Sequence, residues 1–243
     1  MINMAKKELL YEGKAKSVYG TDNPDELIAV FRDDITAFNG EKKDQFSGKG
    51  VYNATVSAFF FSMLEEKGIK THFIGMIDER TMLVSKLKMI PLEVIGRNRA
   101  AGSLVKKFPF ENGQVLNPPL VVTDYKNDER GDPPICDDII YALGLLTPEE
   151  LKEVREMTLK INKILFEFFD KLGLVFVDFK IEFGRLGDRI VLGDEISMDS
   201  MRLWDKETGE SFDKDVYRFG KGDVMSAYGR VVEKIEEWKR QNI

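Results

Sequence analysis

The sequence predicts an α+β fold with a β-rich N-terminal lobe and a mixed C-terminal lobe. Short strand patterns crowd the first part of the chain, and the clearest helical patterns come later. Strands rarely alternate with helices as they would around a doubly wound sheet. The 243 residues suffice for a large core, arranged as one domain or two lobes. We place the boundary within residues 85–91, which gives lobes over 1–86 and 87–243.

The first lobe is predicted from short runs of β-forming residues separated by turn residues. These runs cover residues 9–11, 14–19, 27–31, 72–76 and 81–86. One helix interrupts them over 51–67, because its apolar residues recur on one side and Gly68 is a helix-ending residue. The polar stretch over 31–50 is either a connector or, given its length, a loop that closes over a substrate.

The second lobe is predicted to mix strands, helices and loops. A strand over 90–95 and a short helix over 100–107 precede a segment over 112–138 that is rich in proline and glycine, which we expect to be loop. A long helix begins at Thr147, because Thr147 and Glu150 form a capping box ahead of periodic apolar residues. A hairpin over 175–193 and a helix over 223–240 complete the lobe.

The hairpin is the most informative element. Its first strand, over 175–183, alternates apolar residues with a second face that carries Asp178, Lys180 and Glu182. A turn over 184–188 leads to a second strand that ends at Asp194 and Glu195. If the strands pair symmetrically about Gly187, Lys180 lies opposite Asp194.

Two carboxylates and an ammonium group would then share one face of the hairpin. Such a group suits a hydrated Mg²⁺ ion and the phosphates that it bridges. The alternative is a solvated sheet face with cross-strand ion pairs, and the pattern alone does not decide between them.

Two basic motifs could bind anions. In GKAKSVY, over 13–19, Lys14 and Lys16 lie on the same side of an extended segment, as a phosphate clamp or as a solvated sheet edge. In RNRAAGS, over 97–103, Arg97 and Arg99 precede small residues at a helix start, which suits a phosphate or carboxylate unless the arginines are simply on the surface.

Two further loops contain polar residues. They hold Lys126 with Asp128, and Asp199 with Arg202; they are either solvated loops or parts of the same cleft as the hairpin. His72 fits a structural role better than that of a general base. Cys136 has no recognisable histidine partner for a thiol nucleophile.

The composition excludes several classes of site. With one cysteine and one histidine, the chain cannot form a cysteine-based zinc site or a multi-histidine cage, so oxygen atoms must hold any metal. The net charge of -6 argues against general binding of nucleic acid. No apolar run approaches a membrane span and no export signal is apparent, so we expect no membrane partner and a cytoplasmic location.

Taken together, the motifs resemble those of the phosphoribosylaminoimidazole-succinocarboxamide synthase (SAICAR synthetase) family. The matching segments are GKAKSVY, DDITAFNGEKK, PLEVIGRNRAAGS, YKND, VDFKIEFG, VLGDEIS and RLWDKETGE, in that order over about 9–238. The resemblance implies a two-lobed α+β fold related to ATP-grasp enzymes, with ATP between the lobes and Mg²⁺ as a cofactor. It also implies a homodimer.

The resemblance further implies a reaction and its site residues. L-aspartate is joined to the carboxylate of carboxyaminoimidazole ribonucleotide at the expense of ATP, giving SAICAR, ADP and phosphate. The implied nucleotide-binding residues are Gly13, Lys14, Ala15, Lys16, Val18, Lys86, Leu87, Met89, Lys180, Glu182 and Asp194, with Glu182 and Asp194 as the metal ligands and Lys14 and Lys180 as the catalytic residues. The implied substrate-binding residues are Arg97, Ser103, Lys126, Asp199, Arg202 and Arg218.

This chemistry needs no nucleophile from the protein. A carboxylate is a poor electrophile, so ATP converts it into an acyl phosphate that the aspartate amine then attacks. Every reacting species is anionic, and cations at the developing charge supply most of the catalysis. The chain departs from the family pattern at Asn39, at Met198 and over 218–222. Asn39 lies in a loop that could help to bind metal, and the other two departures affect the rigidity of turns.

Two other functions fit parts of the pattern. A kinase-like phosphotransferase would also use an N-terminal lysine and an acidic hairpin, although the chain lacks GxGxxG and HRDxxxxN motifs. A nucleotide sensor without catalysis would not need RNRAAGS and the loop with Asp199 and Arg202 in addition to an ATP site.

Overall fold

The computed structural model describes residues 6–242, without the side chain of Asn39. The expectation about metal binding by Asn39 therefore concerns a side chain outside the described part. The fold is α+β, as predicted, and has two main antiparallel sheets. None of the helices within 6–242 is long and apolar enough to span a membrane.

The first sheet occupies the N-terminal part of the chain. The elements here are β1 (Leu9–Glu12), β2 (Lys16–Gly20), β3 (Glu26–Phe31), β4 (Asp34–Ala37), β5 (Lys42–Gln45), α1 (Lys49–Glu66), β6 (Phe73–Asp78) and β7 (Thr81–Ser85). The sheet order is β1-β2-β3-β7-β6, so the five predicted strands and the helix are confirmed. The stretch over 31–50 also contains the β4–β5 hairpin, which the sequence pattern did not reveal because the four residues of β5 are all polar.

The second sheet is formed by the C-terminal part of the chain. The elements here are β8 (Lys88–Arg99), α2 (Ser103–Lys107), β9 (Val115–Tyr125), α3 (Asp137–Ala142), α4 (Pro148–Lys171), β10 (Leu174–Leu186), β11 (Arg189–Gly193), β12 (Met201–Asp205), α5 (Asp215–Phe219) and α6 (Val224–Asn242). The order is β11-β10-β8-β9, and β12 pairs with the first part of β10. The central strand β10 is thus paired on both sides.

The prediction of a loop-rich segment over 112–138 is wrong in its first half. Strand β9 runs through it as the edge strand of the sheet beside β8, and residues 133–135 form a short bridge with its end. Pro118 and Pro119 fall where the register shifts, between the pairs Arg97–Leu120 and Arg99–Val115. Proline lacks an amide hydrogen, and the sheet tolerates it at an irregular edge where no ladder bond is required.

The hairpin has a different register from the predicted one. Leu186 pairs with Arg189 and Glu182 with Gly193, so a two-residue turn is centred between Gly187 and Asp188. The expectation that Lys180 lies opposite Asp194 is therefore wrong. Asp194 comes just beyond the paired residues with φ of 60°, a left-handed conformation that aspartate adopts more readily than most residues.

The two sheets share a hydrophobic core. Helix α4 covers the apolar face of β10, where Phe179, Ile181 and Phe183 are buried. Helix α1 packs against the first sheet and α6, and the ring of its Phe60 lies 5.3 Å from that of Phe169 on α4. Burial of these large side chains is the main source of stability, at roughly 2 kcal/mol for each.

A short backbone ladder also joins the sheets. The His72 amide donates to the Leu192 carbonyl at 2.9 Å, and the Leu192 amide donates to the Lys70 carbonyl at 3.1 Å. The His72 side chain is buried against Phe61, and burial lowers its pKa to about 3, which keeps the imidazole neutral. The ladder lies two residues before Asp194 and so fixes the end of β11 against the first sheet.

The capping box of α4 allows a direct test. The Thr147 hydroxyl accepts from the Glu150 amide, and the Glu150 carboxylate accepts from the Thr147 amide. Thr147→Ala leaves helix-terminal amides without partners and should lower the free energy of unfolding by about 1 kcal/mol in urea titrations. Thr147→Ser keeps the acceptor and serves as the control. Equal stabilities for the two variants would contradict the capping role.

Candidate active site

The polar face of the second sheet carries three of the predicted site residues, Arg97, Lys180 and Glu182. Asp178 pairs with Arg97, and Glu182 pairs with Glu93, so β8 and β10 place these four side chains on one face. Lys180 lies between them on the same face. The face has an arginine end near Asp178 and a carboxylate end near Glu182, and we use these two names below.

At the carboxylate end, the buried Glu93 and Glu182 and the partly buried Asp194 are paired with lysines from three separate segments. Lys126, which follows β9, contacts both carboxylate oxygens of Glu182 at 2.5 Å. Lys16 on β2 donates to Asp194, and Lys180 donates to Glu93. The Lys16–Asp194 ion pair connects the first sheet to the second.

The charges at this end shift each other's pKa. Burial and the nearby Asp194 raise the pKa of Glu182 to about 7, even though Lys126 opposes the shift. Burial also disfavours charge on Asp194, but Lys16 and Lys126 outweigh it and hold the pKa of Asp194 below its usual range. Burial opposes the charge on Lys16, and Asp194 and Glu195 overcome that effect, so the pKa of Lys16 is raised. Asp194 therefore stays ionised, and Glu182 is the carboxyl that titrates near neutral pH.

The GKAKSVY segment forms a tight turn leading into β2. The Gly13 amide donates to the Lys16 carbonyl, and the Arg32 amide donates to the Ala15 carbonyl, each at 2.8 Å. Lys14 reaches across to Asp128 at 2.7 Å, where both side chains are well exposed. Val18 lies farther along β2, paired with Ala29. Lys14 therefore lies at the rim, whereas Lys16 points into the carboxylate end.

The 86–89 segment lies against the hairpin. A Cβ atom on Gly184 would come within 2.7 Å of the Leu87 Cβ, and one on Gly193 within 3.0 Å of the Leu87 Cδ1 and 3.6 Å of Met89. Glycine at these two positions lets Leu87 and Met89 sit beside the carboxylate end. The Lys86 amide donates to the Asp25 carbonyl at 2.8 Å.

At the arginine end, arginines and aspartates alternate. Asp178 is buried and accepts from Arg97 at 2.8 Å and from Arg202 at 2.9 Å. Asp215 accepts in turn from Arg202 at 2.8 Å and from Arg218 at 2.6 Å. Three guanidinium groups thus surround two carboxylates, and Asp213 also lies close enough to Arg202 to interact with its charge.

A cleft of about 250 Å³ opens beside the arginine end. Its lining includes Gly102, Val105, Trp204, Ser211, Asp215 and Lys221. The hydroxyl of Ser103 accepts from Arg97 at 3.1 Å. Gly102 has φ of 58°, and a Cβ there would lie 2.4 Å from Nη2 of Arg202, so a larger residue would displace that guanidinium.

Asp199 lies apart from both ends. Its carboxylate is buried, with one oxygen 2.7 Å from Nζ of Lys49 and the other 2.6 Å from the Tyr228 hydroxyl. Burial disfavours its charge, but Lys214 and Lys49 outweigh this effect and hold the pKa of Asp199 below its usual range.

Several side chains around the site were not singled out from the sequence. Glu93 had a usable signal, since it is the acidic residue in the apolar run before Arg97 and shares the face of that residue. Glu195 is buried, with one carboxylate oxygen that lacks a hydrogen-bond partner. Lys49 had no signal, because its partner Asp199 is distant in sequence. Asp215 had a usable signal, since it lies three residues before Arg218.

Across residues 6–242, no group of three or more His, Cys, Asp or Glu side chains is arranged to hold a metal ion without other ligands. Glu182 and Asp194 nevertheless form a pair of carboxylates. A Mg²⁺ ion commonly takes one or two protein carboxylates and completes its shell with phosphate oxygens and water. The donor set therefore fits a metal that arrives with a phosphate.

Comparisons with known proteins agree with this architecture. The SAICAR synthetase family model matches residues 9–235. The phosphoribosylaminoimidazole-succinocarboxamide synthase of Methanoculleus marisnigri is 60% identical over 232 residues, which are 96% of each chain. That of Methanoregula boonei is 62% identical over 96% of this chain and 91% of its own.

Solved structures give the same result. The synthase from Ehrlichia chaffeensis superposes with a TM-score of 0.92 at 43% identity, over 94% of this chain and 98% of its own. A SAICAR synthetase in complex with ADP superposes with a TM-score of 0.91 at 49% identity, over 94% and 97%.

The fold and these relatives define the protein as an enzyme, an ATP-dependent ligase of purine biosynthesis. The chain belongs to the SAICAR synthetase family. The predicted family and ligase activity are thus confirmed, and the kinase-like and sensor interpretations are wrong.

The raised pKa of Glu182 predicts how stability depends on pH. A carboxyl group whose pKa is higher in the folded than in the unfolded state stabilises the fold at pH values below its unfolded-state pKa. This contribution is lost as the pH rises through the folded-state pKa. For Glu182 that window runs from 4.5 to about 7. In the absence of nucleotide, the difference in free energy of unfolding between the wild type and Glu182→Gln should change with pH. The wild type should lose roughly 2 kcal/mol relative to the variant between pH 5 and pH 7.5.

Urea titrations of both proteins at several pH values measure this difference. Asp194 acts in the opposite direction, but only below its ordinary pKa of 3.8, so the two windows do not overlap. A constant difference between the wild type and Glu182→Gln from pH 5 to 7.5 would contradict the assignment.

Proposed function

We propose that the enzyme joins L-aspartate to the carboxylate of carboxyaminoimidazole ribonucleotide through an acyl phosphate formed with ATP. The observation that carries this proposal is the division of one sheet face into a carboxylate end with lysines and an arginine end. Two anionic substrates can occupy such a face at once, with their reacting groups between the ends. The ADP bound to the similar synthetase supports a nucleotide at one of them.

In this proposal, ATP occupies the carboxylate end. Lys16 and Lys180 face the phosphates there, and Lys14 approaches from the rim. Lys126, expected among the substrate-binding residues, also lies at this end, on Glu182. The ammonium groups now bonded to carboxylates would turn to phosphate oxygens, and Glu182 and Asp194 would hold Mg²⁺. Gly13, Ala15 and Val18 border the phosphates, and the 86–89 segment borders the adenine.

The fit of Mg²⁺ rests on charge as well as geometry. Burial and the nearby Asp194 raise the pKa of Glu182 to about 7, so a cation between the two carboxylates would favour the ionised form of both. When bound, Mg²⁺ would offset the negative charge of the phosphates.

The ribonucleotide phosphate is assigned to the arginine end. Arg97, Arg202 and Ser103 supply guanidinium and hydroxyl donors beside the cleft, and guanidinium groups match phosphate geometry. Arg218 contributes from α5. With the phosphate held there, the base and its carboxylate extend along β10 towards the carboxylate end.

The reaction then follows in two steps. A carboxylate oxygen of the ribonucleotide attacks the γ-phosphorus, the bond to ADP breaks, and an acyl phosphate forms. The aspartate amine attacks the acyl carbon and loses a proton as phosphate leaves. Lys180 and Lys14 stabilise the charge that develops on the transferred group, and the raised pKa of Lys180 keeps its ammonium charged despite burial.

The remaining expectations belong to the same proposal. A division into lobes at 86/87 is supported by the two main sheets, each of which lies wholly on one side of it. A homodimer is supported by exposed apolar side chains such as Leu159 and Phe166, which lie two turns apart on α4. A cytoplasmic location remains the expected one.

Phosphate release from ATP and Mg²⁺ tests the proposal, with L-aspartate and the ribonucleotide added singly and together. Release with formation of the succinocarboxamide should require both. Hydroxylamine should trap the acyl phosphate as a hydroxamate when aspartate is omitted. If the enzyme forms the product but hydroxylamine yields no hydroxamate, an acyl phosphate accessible to hydroxylamine is contradicted.

The metal assignment predicts the behaviour of Glu182→Gln and Asp194→Asn. Each should lower kcat by roughly a hundredfold or more, because the charge at the transferred phosphate is no longer offset. Circular dichroism should show an intact fold, and Mg²⁺ titrations should show weaker activation. Glu129→Gln, in an exposed turn, is the control. Unchanged Mg²⁺ dependence in both site variants would contradict the assignment.

The arginine end is tested by Ser103→Ala. Loss of one phosphate hydrogen bond of about 1 kcal/mol should raise KM for the ribonucleotide roughly fivefold. The KM for ATP serves as the internal control and should stay constant. If steady-state kinetics show a raised KM for ATP and a constant KM for the ribonucleotide, the ribonucleotide phosphate does not bind at the arginine end.

A further inference from the structure

The 194–202 segment is a short covalent connection between the two ends of the site. It starts at Asp194, which is bonded to Lys16, and reaches Arg202, which is bonded to Asp178 and Asp215. Whatever holds the middle of this segment therefore helps to place Asp194 and Arg202 at the two ends that β10 spaces.

The middle of the segment is held by Lys49. This lysine is the first residue of α1, its side chain has no exposed surface, and its Nζ lies 2.7 Å from Asp199. The hydroxyl of Tyr228 on α6 donates to the other carboxylate oxygen at 2.6 Å. A buried ammonium is strongly disfavoured unless it is paired, so Lys49 and Asp199 are constrained to stay together.

The same face of α1 makes a second attachment. Ser57 lies eight residues after Lys49 and therefore on the same side of the helix. Its hydroxyl donates to the Ile196 carbonyl at 3.1 Å and accepts from the Ile196 amide at 3.3 Å. On the opposite side, the Lys180 amide donates to the Ser200 carbonyl at 2.7 Å. The segment is thus clamped between α1 and β10.

We propose that Lys49 is a positioning residue for the ligase reaction. Through Asp199 it fixes the 194–202 segment, and through the segment it aligns the ribonucleotide carboxylate with the γ-phosphate of ATP. This inference rests on the proposed function, since it needs the two substrates to occupy the two ends. Misplacing reacting groups by about 1 Å can cost roughly a hundredfold in rate, so alignment should appear in kcat more than in KM.

The test compares Lys49→Met with Val231→Ala. Val231 is buried on α6, one turn from Tyr228, and its truncation destabilises the same helix without removing a charge. Active enzyme is counted by the stoichiometry of ADP binding, and kcat is expressed per active site. Lys49→Met should lose roughly tenfold or more in kcat, with both KM values within about threefold of wild type. Val231→Ala should keep the wild-type kcat at a similarly lowered Tm.

Tyr228→Phe is the second variant, because it removes one hydrogen bond to Asp199 without leaving a charge unpaired. It should also lower kcat, by a smaller factor than Lys49→Met does. If Lys49→Met does not fold, this variant decides alone, and an unchanged kcat overturns the proposal.

The wild-type enzyme distinguishes a failure of the proposed function from a failure of the proposed role of Lys49. If it makes no succinocarboxamide product, the proposed function itself fails. If it turns over normally and Lys49→Met keeps its kcat, or loses no more than Val231→Ala, then Lys49 is a structural residue only.

Discussion

The ion pair between Lys16 and Asp194 is the interaction on which the site depends. Lys16 comes from the first sheet and Asp194 from the end of the second, so the pair forms only when the two sheets are docked. It lies in a largely buried position, where an unpaired charge would be costly. Docking of the sheets and assembly of the carboxylate end are therefore one event.

Strand β10 turns that docking into a site. Its alternate residues face two environments: aromatic and aliphatic side chains pack under α4, whereas Asp178, Lys180 and Glu182 form the polar face. The strand is paired on both sides, so its side chains have little freedom to move relative to those of β8. Rigid spacing along one strand sets the separation of the two ends of the site.

Local patterns in the sequence predicted much of this arrangement. The alternation in β10 predicted the polar face, and the capping box predicted the start of α4, since both signals lie within a few residues. Strand β9 was missed because its prolines are acceptable only at a sheet edge, and the position of a strand in a sheet is a tertiary property. The partners of Lys126 and Lys49 were equally out of reach, because each is paired across a long stretch of chain.

The backbone ladder at Leu192 limits how the two sheets can separate. Its hydrogen bonds to residues 70 and 72 lie two positions from Asp194, so they act as a fixed edge beside the ion pair. A motion that admits nucleotide cannot pull the sheets straight apart without breaking these bonds. A rotation about that edge would leave the bonds in place. The ladder therefore constrains the two sheets beside Asp194 to open by rotation rather than by separation.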